Sequence, residues 1–287
     1  MSTAGNIRVE SSRDVVSRLG ALAGYRELMW MLAWRDIRVR YKHSLLGVAW
    51  AVVPPTAMML VFTFVFGQVV QVDRQKLTGS ATVPYSLFAF SGLVPWMFFA
   101  NGLTGAIGSL VANRPLVTKI YFPREVFPLS SIISAFIDFA IASCVLIVLA
   151  MGLHYWPNGW HFHVNWTVLL VPIVVGVQVM FMAGLGLLLS MANLFYRDVG
   201  FLFRSIIQLW MFVTCVVYQL DATSGWKRMV IQLNPMTPII RAYRDCLIHG
   251  RFPFDLSFIN AAAVSIMVLL VGWWWFRRRE FEFAENI

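Results

Sequence analysis

Residues 35–55 read "RDIRVRYKHSLLGVAWAVVPP". Four basic side chains stand within the first eight of these residues, and a mostly apolar run follows and continues beyond Pro54 and Pro55. A basic cluster directly before an apolar run is typical of the chain that leads into a membrane-spanning helix. The stretch therefore predicts a first span over residues 45–70, with a positively charged segment on the cytoplasmic side.

The composition of the whole chain agrees with a membrane protein. Of its 287 residues, 59% are hydrophobic and 13% are charged, whereas an average soluble domain has about 25% charged residues. The net charge of +9 raises the question of nucleic acid, but the basic residues stand in short segments between apolar runs. This distribution follows the positive-inside bias, so we expect no nucleic-acid partner.

Six stretches are apolar over the roughly 20 residues that a spanning helix needs. They are residues 45–70, 85–110, 126–153, 166–192, 199–220 and 258–276. With both termini in the cytoplasm, 16 of the 23 Lys and Arg fall on the cytoplasmic side and seven outside, which favours that topology. We therefore expect an all-α integral protein of the inner or plasma membrane. It would have a cytoplasmic segment (1–44), a transmembrane domain (45–279) and a cytoplasmic tail (280–287).

The chain before the first span has the pattern of an amphipathic helix. Arg35, Arg38 and Lys42 fall on one side of a helical wheel. The other arc is apolar and holds Trp30, Ala33, Trp34, Ile37 and Tyr41. A helix with two such faces lies along the membrane surface. It is either a basic flank that touches anionic lipid, which the residues alone favour, or a docking helix for a cytoplasmic partner.

The double proline interrupts the first predicted span about three turns from its start. Proline has no amide hydrogen, so Pro54 and Pro55 would leave the carbonyls of Trp50 and Ala51 without their helical donors. We therefore expect a kink there. A kink beside a transport path and a plain packing kink both agree with the residues.

Two short segments between spans are candidates for contact with another protein on the cytoplasmic side. The first, "NRPLVTKIYFPREVFPL" at 113–129, has three prolines. They bound short rigid helices, which suit either a lid on the membrane or a lever that transmits force. The second, "NLFYRDVGFL" at 193–202, is too short to hold a globular site. It is either a charged hairpin tip or a contact surface.

A further amphipathic segment, "NPMTPIIRAYRDCLIHG" at 234–250, precedes the last span. Ile239, Ile240, Tyr243 and Leu247 share one face, and Gly250 can cap the end of the helix. The segment is too short to cross a bilayer. It is either a surface helix or a re-entrant helix packed against protein.

Asp138 is the one carboxylate clearly within a predicted span. An acid inside a membrane is costly, so a proton relay is a hypothesis for it. No basic residue within a span is an obvious partner. The alternative is that Asp138 pairs with Gln178, Gln208 or a backbone group.

The sequence lacks the motifs of the common catalytic and nucleotide sites. It contains no P-loop, no HExxH, no GxSxG and no CxxC. Cys144, Cys215 and Cys246 are far apart, and we interpret them as small apolar filler. We therefore expect no catalytic residue, no metal site and no cofactor bound by this chain.

Four segments, taken together and in this order, resemble the membrane subunit of ABC exporters of the ABC-2 class. The likeness is greatest to the permeases that export O-antigen, capsule or teichoic-acid polymers on a lipid carrier. The segments are "LAWRDIRVRYKHSLLGVAWAVVPP", "VTKIYFPREVFPL", "LFYRD" and "LNPMTPIIRAYRDCLIHG".

The resemblance implies an assembly. Two copies of this chain would form a homodimer, joined by two copies of a separate P-loop ATPase that binds ATP and Mg. The substrate would be a lipid-linked polysaccharide, taken from the cytoplasmic side among the membrane lipids. The six spans would have both ends inside, and residues 234–249 would form short re-entrant helices on the outer side.

The resemblance also implies roles for residues. The amphipathic helix, the 113–129 segment and the "LFYRD" turn would contact the ATPase. The residues expected there are Trp34, Arg35, Asp36, Arg38, Tyr41, Arg114, Lys119, Tyr121, Arg124, Tyr196, Arg197 and Asp198. The first and fifth spans would border a conduit, where aromatic rings suit the CH faces of sugars. The candidates for the conduit lining are Phe62, Phe66, Trp210, Phe212 and Tyr218. Contact with lipid or packing between helices would explain an aromatic residue at each of these positions equally well.

Three other functions stay open at the level of the sequence. An ABC-2 exporter of teichoic acid or of a small lipophilic compound would share the fold. A membrane-embedded glycolipid transferase would need paired acids or a histidine near the interface, and the sequence has no such cluster. A proton-coupled carrier would depend on Asp138.

Overall fold

The computed structural model describes residues 24–42, 44–70, 78, 83–119, 123–154, 165–219, 231 and 233–285. Every regular element within these residues is helical, which confirms the predicted all-α class. The α-helices are α1 Arg26–Tyr41, α2 Val53–Phe64, α3 Tyr85–Ala112, α4 Arg114–Lys119, α5 Val126–His154, α6 Val171–Phe195, α7 Asp198–Val213, α8 Met236–Arg244 and α9 Leu256–Glu285.

Within the described part of the chain, four helical segments are long and apolar enough to cross a bilayer. They are Tyr85–Ala112, Val126–Leu153, Trp166–Phe195 and Leu256–Arg279. Each coincides with one of the predicted spans. The chain is therefore a multi-pass membrane protein.

The other two predicted spans are shorter helices. Residues 45–70 contain the apolar helix Val53–Val69, and the 16-residue α7, Asp198–Val213, begins one residue before the predicted range 199–220 and ends within it. At 1.5 Å per residue, each reaches about 25 Å, which is less than a hydrocarbon core of about 30 Å. Of the six predicted spans, four are therefore helices of full spanning length and two are shorter helices within the residues described.

Pro54 and Pro55 lie in the first turn of α2, directly after the 3-10 helix Gly47–Ala51. Gly47 has φ of +50°, a conformation that glycine adopts readily. Backbone amides in the first turn of a helix make no intrahelical hydrogen bond, so proline is tolerated there, whereas amides in the helix interior do make such bonds. The interruption therefore takes the form of a helix start rather than the predicted kink.

Helix α3 is the centre of the bundle. Its most apolar window is 78% buried, whereas the other three full-length segments reach only 28% to 39%. Helices α5 and α6 pack along it, and α2, α7 and α8 contact it on other sides. Gln178 of α6 donates to the carbonyl of Pro95 within α3 (2.8 Å) and accepts the Tyr243 hydroxyl of α8 (2.8 Å). This buried network joins three helices.

Helices α6 and α9 approach each other backbone to backbone. A Cβ atom on Gly184 would lie 2.6 Å from backbone atoms of Val268 and Leu269. A Cβ atom on Gly272 would lie 2.4 Å from the carbonyl oxygen of Gly184. In lipid the hydrophobic effect does not favour association between helices, so membrane helices depend on close van der Waals packing, which small residues allow.

The two ends of the bundle differ. At one end, which we call the N-helix end, α1 joins α3, α5, α6 and α9 around one apolar cluster. Its buried members are Leu32, Leu110, Val126, Phe127, Leu187, Met191 and Phe276. At the opposite end, side-chain hydroxyls join the elements. Thr167 donates to the carbonyl of Cys246 (3.0 Å), and Tyr85 donates to that of Val217 (2.9 Å).

Helix α8 and the π-helical turn Asp245–His249 occupy the 234–250 segment. Ile239, Ile240 and Tyr243 are fully buried against the bundle. Of the two predicted alternatives, the structure therefore selects a helix packed against protein. Gly250 ends the segment with φ of +61°, which confirms its prediction as the cap.

Candidate functional site

Helix α1 is joined to α5 through Asp138. Arg40 forms a salt bridge with this carboxylate, and the Tyr41 hydroxyl donates to its Oδ1 at 2.7 Å. Burial and the hydrogen bond to Asp138 raise the pKa of Tyr41 to about 12, so its hydroxyl stays protonated and donates at neutral pH. The prediction of Gln178 or Gln208 as a partner was wrong, because the hydrogen bonds of Asp138 within the described residues go to Arg40 and Tyr41. Gln178 bonds to Pro95 and Tyr243 instead. The partners of Asp138 come from α1, outside the spans.

A second contact joins α1 to the end of α3. The guanidinium of Arg35 donates to Asn113 Oδ1 (2.8 Å) and to Asp36 (2.9 Å). Asn113 in turn donates to the carbonyl of Ser109 (2.8 Å) in the last turn of α3. Since α4 begins at Arg114, Arg35 is held where α3 passes into α4.

The apolar arc predicted for α1 is divided between two environments. Ala33 and Ile37 are buried against the bundle, so this part of the arc packs on protein instead of facing the membrane surface. Trp30 and Trp34 are 53% and 44% exposed, and their rings stack with centroids 6.3 Å apart. Arg38 lies over the Trp34 ring at 5.9 Å. This outward pair of rings with its cation is open to another component.

The 113–129 segment carries a link that the sequence did not reveal. Glu125 is 1% exposed and pairs with Arg277 of α9 at 3.3 Å. Arg277 also lies over the ring of Trp273 at 5.2 Å. Arg124 and the backbone of Lys119 lie in this segment, whereas Tyr121 lies outside the described residues. The start of α5 is thereby joined to the far end of the last span.

The turn between α6 and α7 exposes Tyr196 and Arg197. Asp198 is the first residue of α7, where a carboxylate suits the positive end of the helix dipole. Asn193 Oδ1 accepts the Gly200 amide (2.9 Å), and Asn193 Nδ2 donates to the carbonyl of Ile107 (3.0 Å). The turn is therefore fastened to α3.

These surfaces converge on the last third of α3. A cavity of about 610 Å³ beside Arg35 and a cavity of about 320 Å³ beside Arg197 share three residues of α3 in their walls. The shared residues are Thr104, Gly108 and Ala112. Arg35 and Arg197 thus lie on either side of the same part of α3, although 162 positions separate them in the sequence.

A third cavity, of about 560 Å³, lies next to the Arg40 and Asp138 pair. Pro54 and Pro55 form part of its wall, and Asn101 of α3 adds a polar side chain. The start of α2 is therefore placed beside the contact between α1 and α5.

The aromatic residues predicted along the first and fifth spans fall into two groups. Phe62 and Phe66 stack at 6.1 Å, and Phe66 contacts Tyr85 at 6.0 Å. In the second group, Trp210 packs edge-on against Phe99 at 5.2 Å. The Tyr218 hydroxyl donates to the carbonyl of Phe212 (2.7 Å), and Phe212 is the most exposed of the five predicted rings.

Among the described residues, no group of three or more His, Cys, Asp or Glu side chains is placed to hold a metal ion. Cys144, Cys215 and Cys246 form no disulfide, and the last two are buried.

Comparison with known proteins finds relatives that match most of the chain. The chain is 31% identical over 265 residues to the O-antigen export system permease protein RfbA of Myxococcus xanthus, covering 92% of this chain and 96% of that protein. It is 28% identical over 259 residues to the protein of the same name from Klebsiella pneumoniae, covering 90% and 94%. It is 22% identical over 247 residues to the polysialic acid transport protein KpsM of Escherichia coli, covering 86% and 91%.

A family match covers most of the same region. Residues 27–248 match the ABC-2 type transporter family, which takes in α1, the central helix α3 and the buried α8. The chain therefore belongs to the ABC-2 type transporter family.

Proposed function

We propose that this chain is the permease subunit of an ATP-driven exporter that moves a lipid-linked polysaccharide outward across the inner membrane. The observation that carries the proposal is the similarity over 92% of this chain and 96% of an O-antigen export permease. The match therefore covers nearly the whole length of both proteins. The permease itself has no enzymatic role in this proposal.

The proposed topology has six membrane segments with both termini in the cytoplasm. Helices α2 and α7 would cross together with their neighbours, in a bilayer that is locally thinned or by continuing into the turns beside them. The N-helix end would then face the cytoplasm, in agreement with the excess of Lys and Arg there. The segment 234–249 would enter from the outer side without crossing.

The N-helix end would bind a separate ATPase subunit, two copies to a permease dimer. ATP and Mg would bind to that subunit, because this chain lacks a P-loop. Support comes from Trp34 and Arg38, whose exposed side chains contact each other and leave the rest of their surface open. Arg114, Lys119, Tyr121, Arg124, Tyr196, Arg197 and Asp198 complete the proposed contact.

Motion of the ATPase would reach the spans through fixed contacts rather than through flexible loops. Arg40 and Tyr41 join α1 to the middle of α5, and Arg35 joins it to the end of α3. Glu125 joins the start of α5 to α9. A displacement of α1 would therefore move α3 and α5 with it.

The proposed conduit lies between two copies of the chain, along α2 and α7. Helix α7 exposes apolar rings, such as Phe212, and also the polar side chains of Arg204 and Gln208. A helix that faces only lipid has no favourable environment for these polar groups. A path for a sugar polymer would satisfy them, while the rings would bury the sugar CH faces.

The ATPase contact can be tested on α1. Trp34→Ala with Arg38→Glu should abolish copurification of the ATPase subunit and polymer export while leaving the amount of permease in the membrane unchanged. Arg26→Glu, at the start of the same helix, is the matched control. Arg35→Glu is less informative, because it also breaks the bond to Asn113.

Two results would count against the proposal. Unchanged ATPase binding in the Trp34→Ala, Arg38→Glu variant would remove the docking role from α1. Export of polymer by the purified permease in liposomes without any ATPase would remove the ATP-driven mechanism as a whole.

A further inference from the structure

Arg244, the last residue of α8, is buried at the opposite end of the bundle from α1. It is 6% exposed, and no carboxylate of the described residues lies within salt-bridge distance of it. Its guanidinium stays protonated under all ordinary conditions. A buried charge of this kind is unfavourable unless oriented dipoles replace the lost water.

Backbone carbonyls supply those dipoles. Nη1 donates to the carbonyl of Cys215 (3.0 Å), and Nη2 donates to the carbonyls of Val216 and Phe88 (3.4 Å for Phe88). The guanidinium carbon lies 3.7 Å above the centroid of the Phe88 ring, which adds a cation–π contact. One side chain of α8 thus contacts both α3 and the turn that follows α7.

The turn after α7 is shaped to present these carbonyls. Helix α7 ends at Val213, and Cys215 has φ of +51°, a conformation that residues with a side chain rarely adopt. Two more donors reach the same turn. Asn234 donates to the Thr214 hydroxyl (2.8 Å), and Tyr85 donates to the carbonyl of Val217 (2.9 Å).

Gly92 of α3 provides the space for this arrangement. A Cβ atom at position 92 would lie 2.4 Å from Nη2 of Arg244 and 2.5 Å from the carbonyl oxygen of Val216. Neither neighbour can retreat without breaking the contact between them. Glycine at this position therefore belongs to the same structural unit as Arg244.

We infer that Arg244 is a positioning residue that holds the end of α7 against α3 and α8. The inference rests on the proposed function in one respect, that α7 borders the transport path. The transport path has one end near the ATPase and one end on the opposite side of the membrane. Arg244 then fixes the position of α7 at the opposite end. We call Arg244, Gly92 and the 214–217 turn the Arg244 clasp.

Cys215 is a natural reporter for the clasp, since it belongs to the turn and is 4% exposed. In a Cys144→Ala, Cys246→Ala background it is the remaining cysteine of the chain. Its alkylation by N-ethylmaleimide in native membranes, without ATPase or ATP, would be measured against alkylation after denaturation. Arg244→Met and Gly92→Ala should each raise the rate about ten-fold, because local opening of the turn exposes the thiol.

Matched variants separate the clasp from general damage. Arg241→Met removes an exposed arginine one turn away, whose carboxylate neighbours are Asp245 and Asp255. Gly176→Ala adds a Cβ atom that meets nothing within 4 Å. Both should leave Cys215 as protected as in the parent chain. Arg244→Lys should be intermediate, because an ammonium keeps the charge but lacks the planar fork that reaches three carbonyls.

Each outcome decides the inference. Protection of Cys215 from alkylation in both Arg244→Met and Gly92→Ala would overturn it. Alkylation of Cys215 in Arg241→Met at the same rate as in Arg244→Met would also overturn it, because that result would indicate unfolding of the whole region. Export is measured separately, and it should fall in Arg244→Met while ATPase binding persists. If the parent chain exports no polymer, the proposed function fails, whereas the labelling result still tests the clasp.

Discussion

Arg40 of α1 and Asp138 of α5 form a salt bridge across 98 positions of sequence. The arginine side chain is half exposed, whereas the side chain of Asp138 is 13% exposed. An acid at this depth in a membrane helix would be costly alone. Its charge is balanced by a residue that precedes the first span, so the pair fastens the N-terminal helix to the bundle. This contact gives Asp138 a role that needs no proton transport.

The salt bridge should be measurable as a coupling between two substitutions. Arg40→Gln and Asp138→Asn should each lower the thermal stability of the purified permease, and the double variant should lose less than the sum. The coupling should be about 1 kcal/mol, because the exposed arginine is partly screened by solvent. Additive losses would show that the two side chains do not interact. Full export by Asp138→Asn would also remove the proton-relay hypothesis.

The Tyr41 hydroxyl should contribute stability that depends on alkaline pH. Its pKa is raised from about 10 in the unfolded chain to about 12, chiefly by burial and then by Asp138. The folded state therefore holds the proton more tightly, so the contribution is complete below pH 10 and is lost as pH rises towards 12. The difference in melting temperature between the parent chain and Tyr41→Phe should be constant from pH 7 to about pH 10 and then shrink. A difference that changes between pH 7 and pH 9 would contradict this assignment.

Breaking the Glu125 and Arg277 pair should be more harmful than breaking the Arg40 pair. Both oxygens of Glu125 lack a hydrogen-bond donor among the described residues, so Arg277 is the charge that balances it. Arg277→Met leaves a buried carboxylate unpaired and should cost about 3 kcal/mol in unfolding free energy. Adding Glu125→Met should recover part of the loss.

The neighbouring Arg278 provides the control for that experiment. It lies over Trp274 at 5.5 Å on an exposed face of α9. Arg278→Met should change the unfolding free energy by less than about 0.5 kcal/mol. If Arg277→Met and Arg278→Met lowered the unfolding free energy equally, the pairing of Arg277 with Glu125 would not contribute to stability.

Gly184 should tolerate no side chain. Gly184→Val would force α6 and α9 apart, since a Cβ atom already lies 2.6 Å from the backbone of α9. We expect a loss of about 3 kcal/mol or failure to accumulate in the membrane. Gly176→Ala on the same helix has open space around it and should be neutral or stabilising by about 0.5 kcal/mol. Thermal unfolding followed by tryptophan fluorescence compares the two, and similar losses would refute the close packing.

Local features of this protein were predictable from neighbouring residues. Apolar runs of bilayer length predicted α3, α5, α6 and α9, because about 20 consecutive apolar residues are enough for a helix to cross. Gly250 was predicted as a cap because its position follows an amphipathic helix and glycine adopts positive φ without strain. The double proline predicted an interruption, but whether it bends a helix or begins one depended on Gly47 and the 3-10 turn before it.

The class of protein, four of its spans and the helical nature of its short segments were thus predictable from the residue pattern. The pairing of Asp138 with Arg40, the pairing of Glu125 with Arg277 and the carbonyls around Arg244 became known from the folded chain. Hydrophobic burial follows a pattern along one segment, whereas a buried charge is stabilised by whichever group the packing brings close. In this chain the groups concerned lie between 28 and 156 positions apart.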